Sequence, residues 1–340
     1  AQEPFGLEGR RTWVGKFVSG ELNLTMLALH ALVAAVSTLA TFTLSKAVPW
    51  RYNETEALEF VRYAQAAFCT QRAIEGWTCG GACDKAAIIP GLIRFIPQGV
   101  TMGVQGFAAR IPGGRCVLAF RGSVSMRNWY ADFDFLLKPW PPVGSDRANA
   151  TWCRGCYAHE GFATAYEELR AAVKSALRDL NCTRISVTGH SLGAAVATIA
   201  SFDIRADLGL QVGAVWTYGK PHIGNLEFVN AFAAASKRQG VDPPLWRVVH
   251  YHDPVPRTPP HIPGLYEVGH SGLEVYYTDE ASSSYLLCPQ DGPRANTSLS
   301  CSYGWPLFLC INLDHVTYLN QTFAHKHMPK ECTGEDPQFV

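Results

Sequence analysis

Phe162, Tyr166, Leu169, Val173, Leu177 and Leu180 recur at steps of three and four along the chain. That period lays one apolar stripe along a helix over residues 162–180. Residues 55–68 read as an earlier helix. The pattern then shortens, and residues 101–110 and 115–120 read as two strands about the turn Pro112-Gly113-Gly114. Further strands fall near residues 184–188, 212–218, 245–251 and 273–278, with a helix-like run over 194–204. Strands alternating with helices predict an α/β fold whose largely parallel sheet is crossed over by helices. In such a sheet, ligand chemistry belongs at the carboxyl ends of the strands.

The first fifty residues break this pattern. Residues 22–45 carry no charged side chain, and Arg10, Arg11 and Lys16 precede them. As a helix the run would measure about 36 Å, long enough to cross a bilayer. Asn23, Thr25, His30 and Thr41 dilute it, so a soluble packed helix is the rival reading. The expectation is membrane insertion, either as a cleaved secretory signal or as a retained anchor. Residues 51–340 show no repeat or linker and are expected to form a single domain, with 1–50 as a separate targeting or anchoring segment.

Composition narrows the compartment and the partners. Lys and Arg total 29, as do Asp and Glu. That balance argues against nucleic acid, which is bound mainly through phosphate charge. Eleven cysteines and the sequons at Asn23, Asn53, Asn149, Asn181, Asn296 and Asn320 fit an oxidising, secretory environment. Cys79 with Cys83 and Cys153 with Cys156 are close enough to pair locally, and Cys288 with Cys301 would close a loop. A zinc ribbon would want its two short pairs much closer together than these stand.

Gly189-His190-Ser191-Leu192-Gly193 carries the chemistry. A G-x-S-x-G string is weak alone, but this one lies between a strand-like and a helix-like run. That is the context of a nucleophile elbow, where flanking glycines keep side chains out of a sharp turn. Gly269-His270-Ser271-Gly272 begins alike but has its glycine one place early and a strand-like run behind it, so it is rejected. A serine nucleophile needs a base oriented by a carboxylate, in the chain order Ser, acid, His. Asp253, Asp279 and Asp314 are the acids available, and Asp253 follows a strand directly. His261, His270, His315, His325 and His327 are the available bases. His315 follows the apolar run Phe308-Leu309-Cys310-Ile311.

With these residues in view, the chain resembles the fungal-type class 3 lipases, which have an α/β-hydrolase fold. Beyond the elbow, the matching stretches are Phe120-Arg121-Gly122-Ser123, Met126-Arg127-Asn128-Trp129, Tyr218-Gly219-Lys220-Pro221, Asp253-Pro254-Val255-Pro256 and Asp314-His315. The similarity runs from about residue 55 to the C-terminus. The resemblance implies a central, mostly parallel sheet with helices on both faces and a short lid helix. It selects Asp253 and His315 beside Ser191. It places the oxyanion hole at the backbone amides of Ser123 and Leu192, and the lid on the apolar face Met126, Trp129, Tyr130 and Phe133. It also implies the pairs Cys69–Cys332, Cys79–Cys83 and Cys288–Cys301. Cys116 and Cys182 then begin strands that are candidates for neighbours, and Cys310 is left over. Pro254 departs from the family, whose acid is usually followed by an aliphatic residue.

The expected activity is carboxylic ester hydrolysis through an acyl-enzyme, as a triacylglycerol lipase acting on lipid at an interface. Phospholipase A1, mono/diacylglycerol lipase and feruloyl-type esterase use the same triad, and a non-catalytic lipid-binding protein is the rival class. The mechanism calls for no metal or organic cofactor. The expected location is extracellular, or membrane-anchored with the catalytic domain on the lumenal or extracellular side. Membrane contact would run through residues 22–45 and the lid.

Overall fold

The computed structural model describes residues 51–122, 136–240, 245–288, 299–306, 312–324, 327–328 and 332. The apolar run at 22–45 lies outside them, and among the described residues no helix is long and apolar enough to cross a membrane. Tyr52–Val340 makes one compact unit.

The central sheet has eight strands that lie side by side in chain order: β1 (Ile93–Ile96), β2 (Gly106–Ile111), β3 (Arg115–Phe120), β4 (Arg184–His190), β5 (Gln211–Tyr218), β6 (Trp246–His250), β7 (Leu273–Tyr277) and β8 (Tyr285–Leu287). Strands β3 to β7 are parallel, with antiparallel β1, β2 and β8 at the two edges. Four longer helices cover it: α1 (Glu54–Ala66), α2 (Glu160–Asp179), α3 (Leu192–Ala206) and α4 (Leu226–Arg238).

Alternation along β4 separates the two faces. Ile185 and Val187 join a core built with Phe162, Leu169 and Val173 of α2 and the apolar residues of α3. On the opposite face, Thr188 Oγ1 donates to the carbonyl of Phe60 in α1 at 3.1 Å. Helix α3 is buried from Leu192 through Arg205. It is therefore apolar nearly all round, as a helix at the centre of a layered fold must be.

Most predicted elements agree with the structure to within a few residues. One strand does not. The expected strand at 101–110 begins only at Gly106, and Thr101 instead hangs on helix α2, its backbone N–H donating to Glu168 Oε1 at 3.2 Å. A tertiary contact thus overrides a local β pattern. The edge strands β1 and β8 and a small sheet (Val268–Gly269, Gly224–Asn225, Tyr157–His159 and Leu137–Pro139) carry too short a pattern to be read in advance.

Five disulfides tie the described chain: Cys69–Cys332, Cys79–Cys83, Cys116–Cys182, Cys153–Cys156 and Cys288–Cys301. Cys116 and Cys182 meet because they stand at the starts of the adjacent parallel strands β3 and β4. Cys310 lies outside the described residues.

Candidate active site

Ser191 sits at the junction of β4 and α3 with φ +58°, a left-handed conformation that L side chains seldom adopt. The turn is held from both sides. Its N–H donates to the Tyr218 carbonyl at 2.9 Å, and its own carbonyl accepts from Ala194 N at 2.9 Å. The glycines of the motif are steric necessities. A Cβ on Gly189 would lie 2.3 Å from the Gly193 carbonyl oxygen, and one on Gly193 would lie 2.4 Å from the Phe120 oxygen. Gly122 abuts the same turn, where a Cβ would come within 2.7 Å of the His190 oxygen and 3.2 Å of Ser191 Cβ. The end of β3 is therefore pressed against the elbow.

Asp253 and His315 meet although 62 residues separate them. His315 Nδ1 donates to Asp253 Oδ2 at 2.8 Å, and neither side chain reaches solvent. Asp253 Oδ1 accepts the backbone N–H of Val255 at 2.8 Å, and the Tyr318 hydroxyl donates a short hydrogen bond to Oδ2. Burial, reinforced by the adjacent carboxylate, pushes the Tyr318 hydroxyl well above its ordinary range, so it stays protonated and donates. Gly219 packs on the pair with φ +61°; a Cβ there would lie 2.7 Å from His315 Cε1 and 2.9 Å from Asp253 Oδ2.

Among the described residues, neither Asp279 nor Asp314 bonds an imidazole through its carboxylate. Asp279 caps the exposed turn at Ser283 and Ser284. Asp314, raised by burial, presents its main-chain carbonyl to His250 Nδ1 at 2.9 Å. Among the rival histidines, His261 bonds the Val268 carbonyl and His270 the Pro256 carbonyl. His327 is exposed, and His325 lies outside the described residues. The decoy Ser271 precedes β7 rather than a helix.

Ser191 Oγ and His315 Nε2 have no hydrogen-bond partner among the described residues, and neither does Nδ1 of the neighbouring His190. Ser191 is 1% exposed and His315 0%. In unliganded hydrolases the serine–histidine bond is commonly long and tightens on substrate. Between them, His190 ties the elbow to the histidine segment. Its Nε2 donates to the His315 carbonyl at 2.7 Å while its ring stacks on Phe323 at 3.9 Å. Burial, with His315 close by, holds His190 well below its ordinary range, hence neutral. Leu192 opens α3, where first-turn amides have no partner inside the helix. Ser123 and the predicted lid residues Met126, Trp129, Tyr130 and Phe133 lie outside the described residues.

Tyr318, Gly219 and His190 were not singled out from sequence. Gly219 stood inside a matched stretch, and Tyr318 lies three residues beyond His315, but nothing local shows what either touches.

A serine raised on a strand-to-helix turn over a mostly parallel sheet is the arrangement of the α/β-hydrolases, and this chain has that fold. Residues 117–262 match the family model described as lipase (class 3). The chain is 34% identical to secreted mono- and diacylglycerol lipase 1 of Fusarium solani, over 60% of this chain and 59% of that protein. It is 32% identical to a lipase of Rhizomucor miehei, over 59% and 51% respectively. A solved triacylglycerol lipase whose catalytic centre is a serine protease triad superposes with a TM-score of 0.61 at 25% identity, over 80% of this chain and 96% of that one. These matches support a fungal-type class 3 lipase. The chain spans 59% and 51% of the lengths of the Fusarium and Rhizomucor relatives.

Proposed function

We propose that this protein is a secreted serine ester hydrolase acting on acylglycerols, with triacylglycerol as the leading substrate. The observation that carries the reading is the buried Asp253–His315 pair, bonded at 2.8 Å, in a chain whose Ser191 is held at φ +58° on the elbow.

Ser191 is the nucleophile. His315 Nε2 takes its proton as Oγ attacks the ester carbonyl, then gives that proton to the departing alcohol. Water, deprotonated by the same nitrogen, cleaves the acyl-enzyme. Asp253 holds the imidazole with its proton on Nδ1 and stabilises the imidazolium that forms. The amides of Leu192 and Ser123 hold the oxyanion. A nucleophile at 1% exposure cannot meet a long-chain ester until a covering segment moves. That burial supports a lid at residues 126–133, and its apolar side chains suit a lipid surface. Five disulfides, together with a relative named as secreted, support export.

A second reading, mono- and diacylglycerol hydrolysis, is favoured by the name of the Fusarium relative. Hydrolysis rates on tri-, di- and monoolein, each as monomer and emulsion, separate the two. Triolein turnover that rises at the emulsion threshold supports the leading reading, and activity confined to partial glycerides supports the second. Fluorophosphonate labelling lost in Ser191→Ala tests the chemistry itself; labelling that persists removes Ser191 from its role.

A further inference from the structure

The loop that carries Asp253 continues through Pro254, a short 3-10 helix at Val255–Arg257, Thr258 and Pro259. Two of its carbonyls are held by buried imidazoles from distant parts of the chain. His270 Nε2 donates to the Pro256 oxygen at 2.7 Å, and His222 Nδ1 donates to the Pro259 oxygen at 2.7 Å. A carbonyl only accepts, so the ring nitrogen facing it must carry the proton. Each ring, if neutral, then offers its other nitrogen as an acceptor.

Both second nitrogens meet a donor. The Tyr303 hydroxyl lies 2.8 Å from His222 Nε2, and the Lys220 ammonium or amine lies 3.3 Å from His270 Nδ1. Tyr303 and Lys220 thus select the tautomers that the two loop contacts require. Tyr303 is itself anchored. Its neighbour Ser302 donates its N–H to the buried Glu274 carboxylate at 3.1 Å, Cys301 is bonded to Cys288, and the Arg257 guanidinium lies 5.1 Å over the Tyr303 ring. Lys220 follows Gly219, the glycine packed on His315 and Asp253.

Burying two imidazoles and a lysine costs free energy that an apolar filling would not. A fully bonded buried network chiefly fixes one geometry. Burial also keeps both imidazoles neutral, His222 at about 3 and His270 well below its ordinary range, so the tautomers persist across the working range.

We propose that His222, His270, Tyr303 and Lys220 are positioning residues for the acid: they hold the 253–259 loop by two carbonyls and so set the Asp253 carboxylate against His315. The inference rests on Asp253 and His315 being the acid and base. It concerns residues that touch neither substrate nor the reacting atoms.

The test uses the full chain and a monomeric short-chain ester. Tyr303→Phe keeps the ring and deletes the donor. It should lower kcat about 10-fold at unchanged KM, by analogy with the cost of small misplacements in a site. The acid limb of kcat/KM should move to lower pH, since a displaced carboxylate stabilises the imidazolium less. His270→Leu should show the same signature, and His270→Gln, which retains an amide donor for the Pro256 carbonyl, should recover most of the loss. Folded Tyr303→Phe and His270→Leu proteins with wild-type kcat and pH profile would overturn the proposal, as would losses confined to KM or equal losses in His270→Gln and His270→Leu. The triad reading fails separately, if Ser191→Ala retains wild-type turnover.

Discussion

Asp203 and Asp253 are both buried, and their surroundings are opposite in kind. Asp203, 0% exposed on α3, accepts from Arg147 at 2.7 Å, Arg170 at 2.8 Å and the Tyr166 hydroxyl at 2.6 Å. Its charge is matched by fixed guanidinium cations, which never release their protons in a protein. Asp253, 2% exposed, is met by an imidazole, a phenol and one backbone N–H. No permanent cation stands among those hydrogen-bond partners. The first arrangement is static, pinning the 139–156 segment and α2 to α3. The second leaves room for a proton to arrive and depart on His315, which is what a catalytic carboxylate needs.

The largest expected effect separates the two directly. Asp253→Asn should lower kcat about 10⁴-fold, because the amide favours the wrong histidine tautomer, while the thermal midpoint changes little. A fall of less than tenfold would remove Asp253 from its role. Asp203→Asn should do the reverse. Arg147 keeps Glu167 and Arg170 keeps Asp207 as partners, so losing the charge-assisted bonds to Asp203 should cost about 1.5–3 kcal/mol in denaturant unfolding. Turnover per folded molecule should stay near wild type, and a specific loss of kcat would show that the two aspartates are coupled.

Gly219→Ala is the next in size. The new methyl would press on both His315 and Asp253 from a backbone at φ +61°, and kcat should fall about 100-fold. Unchanged kinetics would mean that the pair tolerates displacement.

The last effect concerns acid. His190, His222 and His270 are all depressed by burial on the side of the molecule that holds Asp253. Above the ordinary histidine value both folded and unfolded chains hold them neutral. Below about 6.5 the unfolded chain takes up protons first, so stability falls by up to about 1.4 kcal/mol per pH unit for each. For His222 that loss continues down to about 3. Midpoints measured from pH 7 to 4 should therefore decline, and less steeply when one of the three is replaced by Gln. A flat profile would contradict their burial as neutral rings.

The residues differ in how far they could be read from the chain alone. Ser191 was legible because its constraint is local: five consecutive residues, flanked by a strand and a helix, must make a turn that only small neighbours allow. Asp253 was half-legible, since its place after a strand left Asp279 and Asp314 as rivals. The cysteine pairs at spacings of three and four were legible by proximity, whereas Cys116 with Cys182 required β3 and β4 to be neighbours. Tyr318 and the His222–Tyr303 contact left no local trace, because each joins segments dozens of residues apart.

The amino-acid sequence by itself determined the alternation of strands and helices, the elbow and the serine on it. These depend on period and sterics over a few residues. Only the tertiary structure decided which aspartate meets which histidine, which glycine stands behind them, and which buried rings hold the loop between. Those contacts arise where a parallel sheet brings the ends of remote strands together, and no short stretch of chain contains both partners.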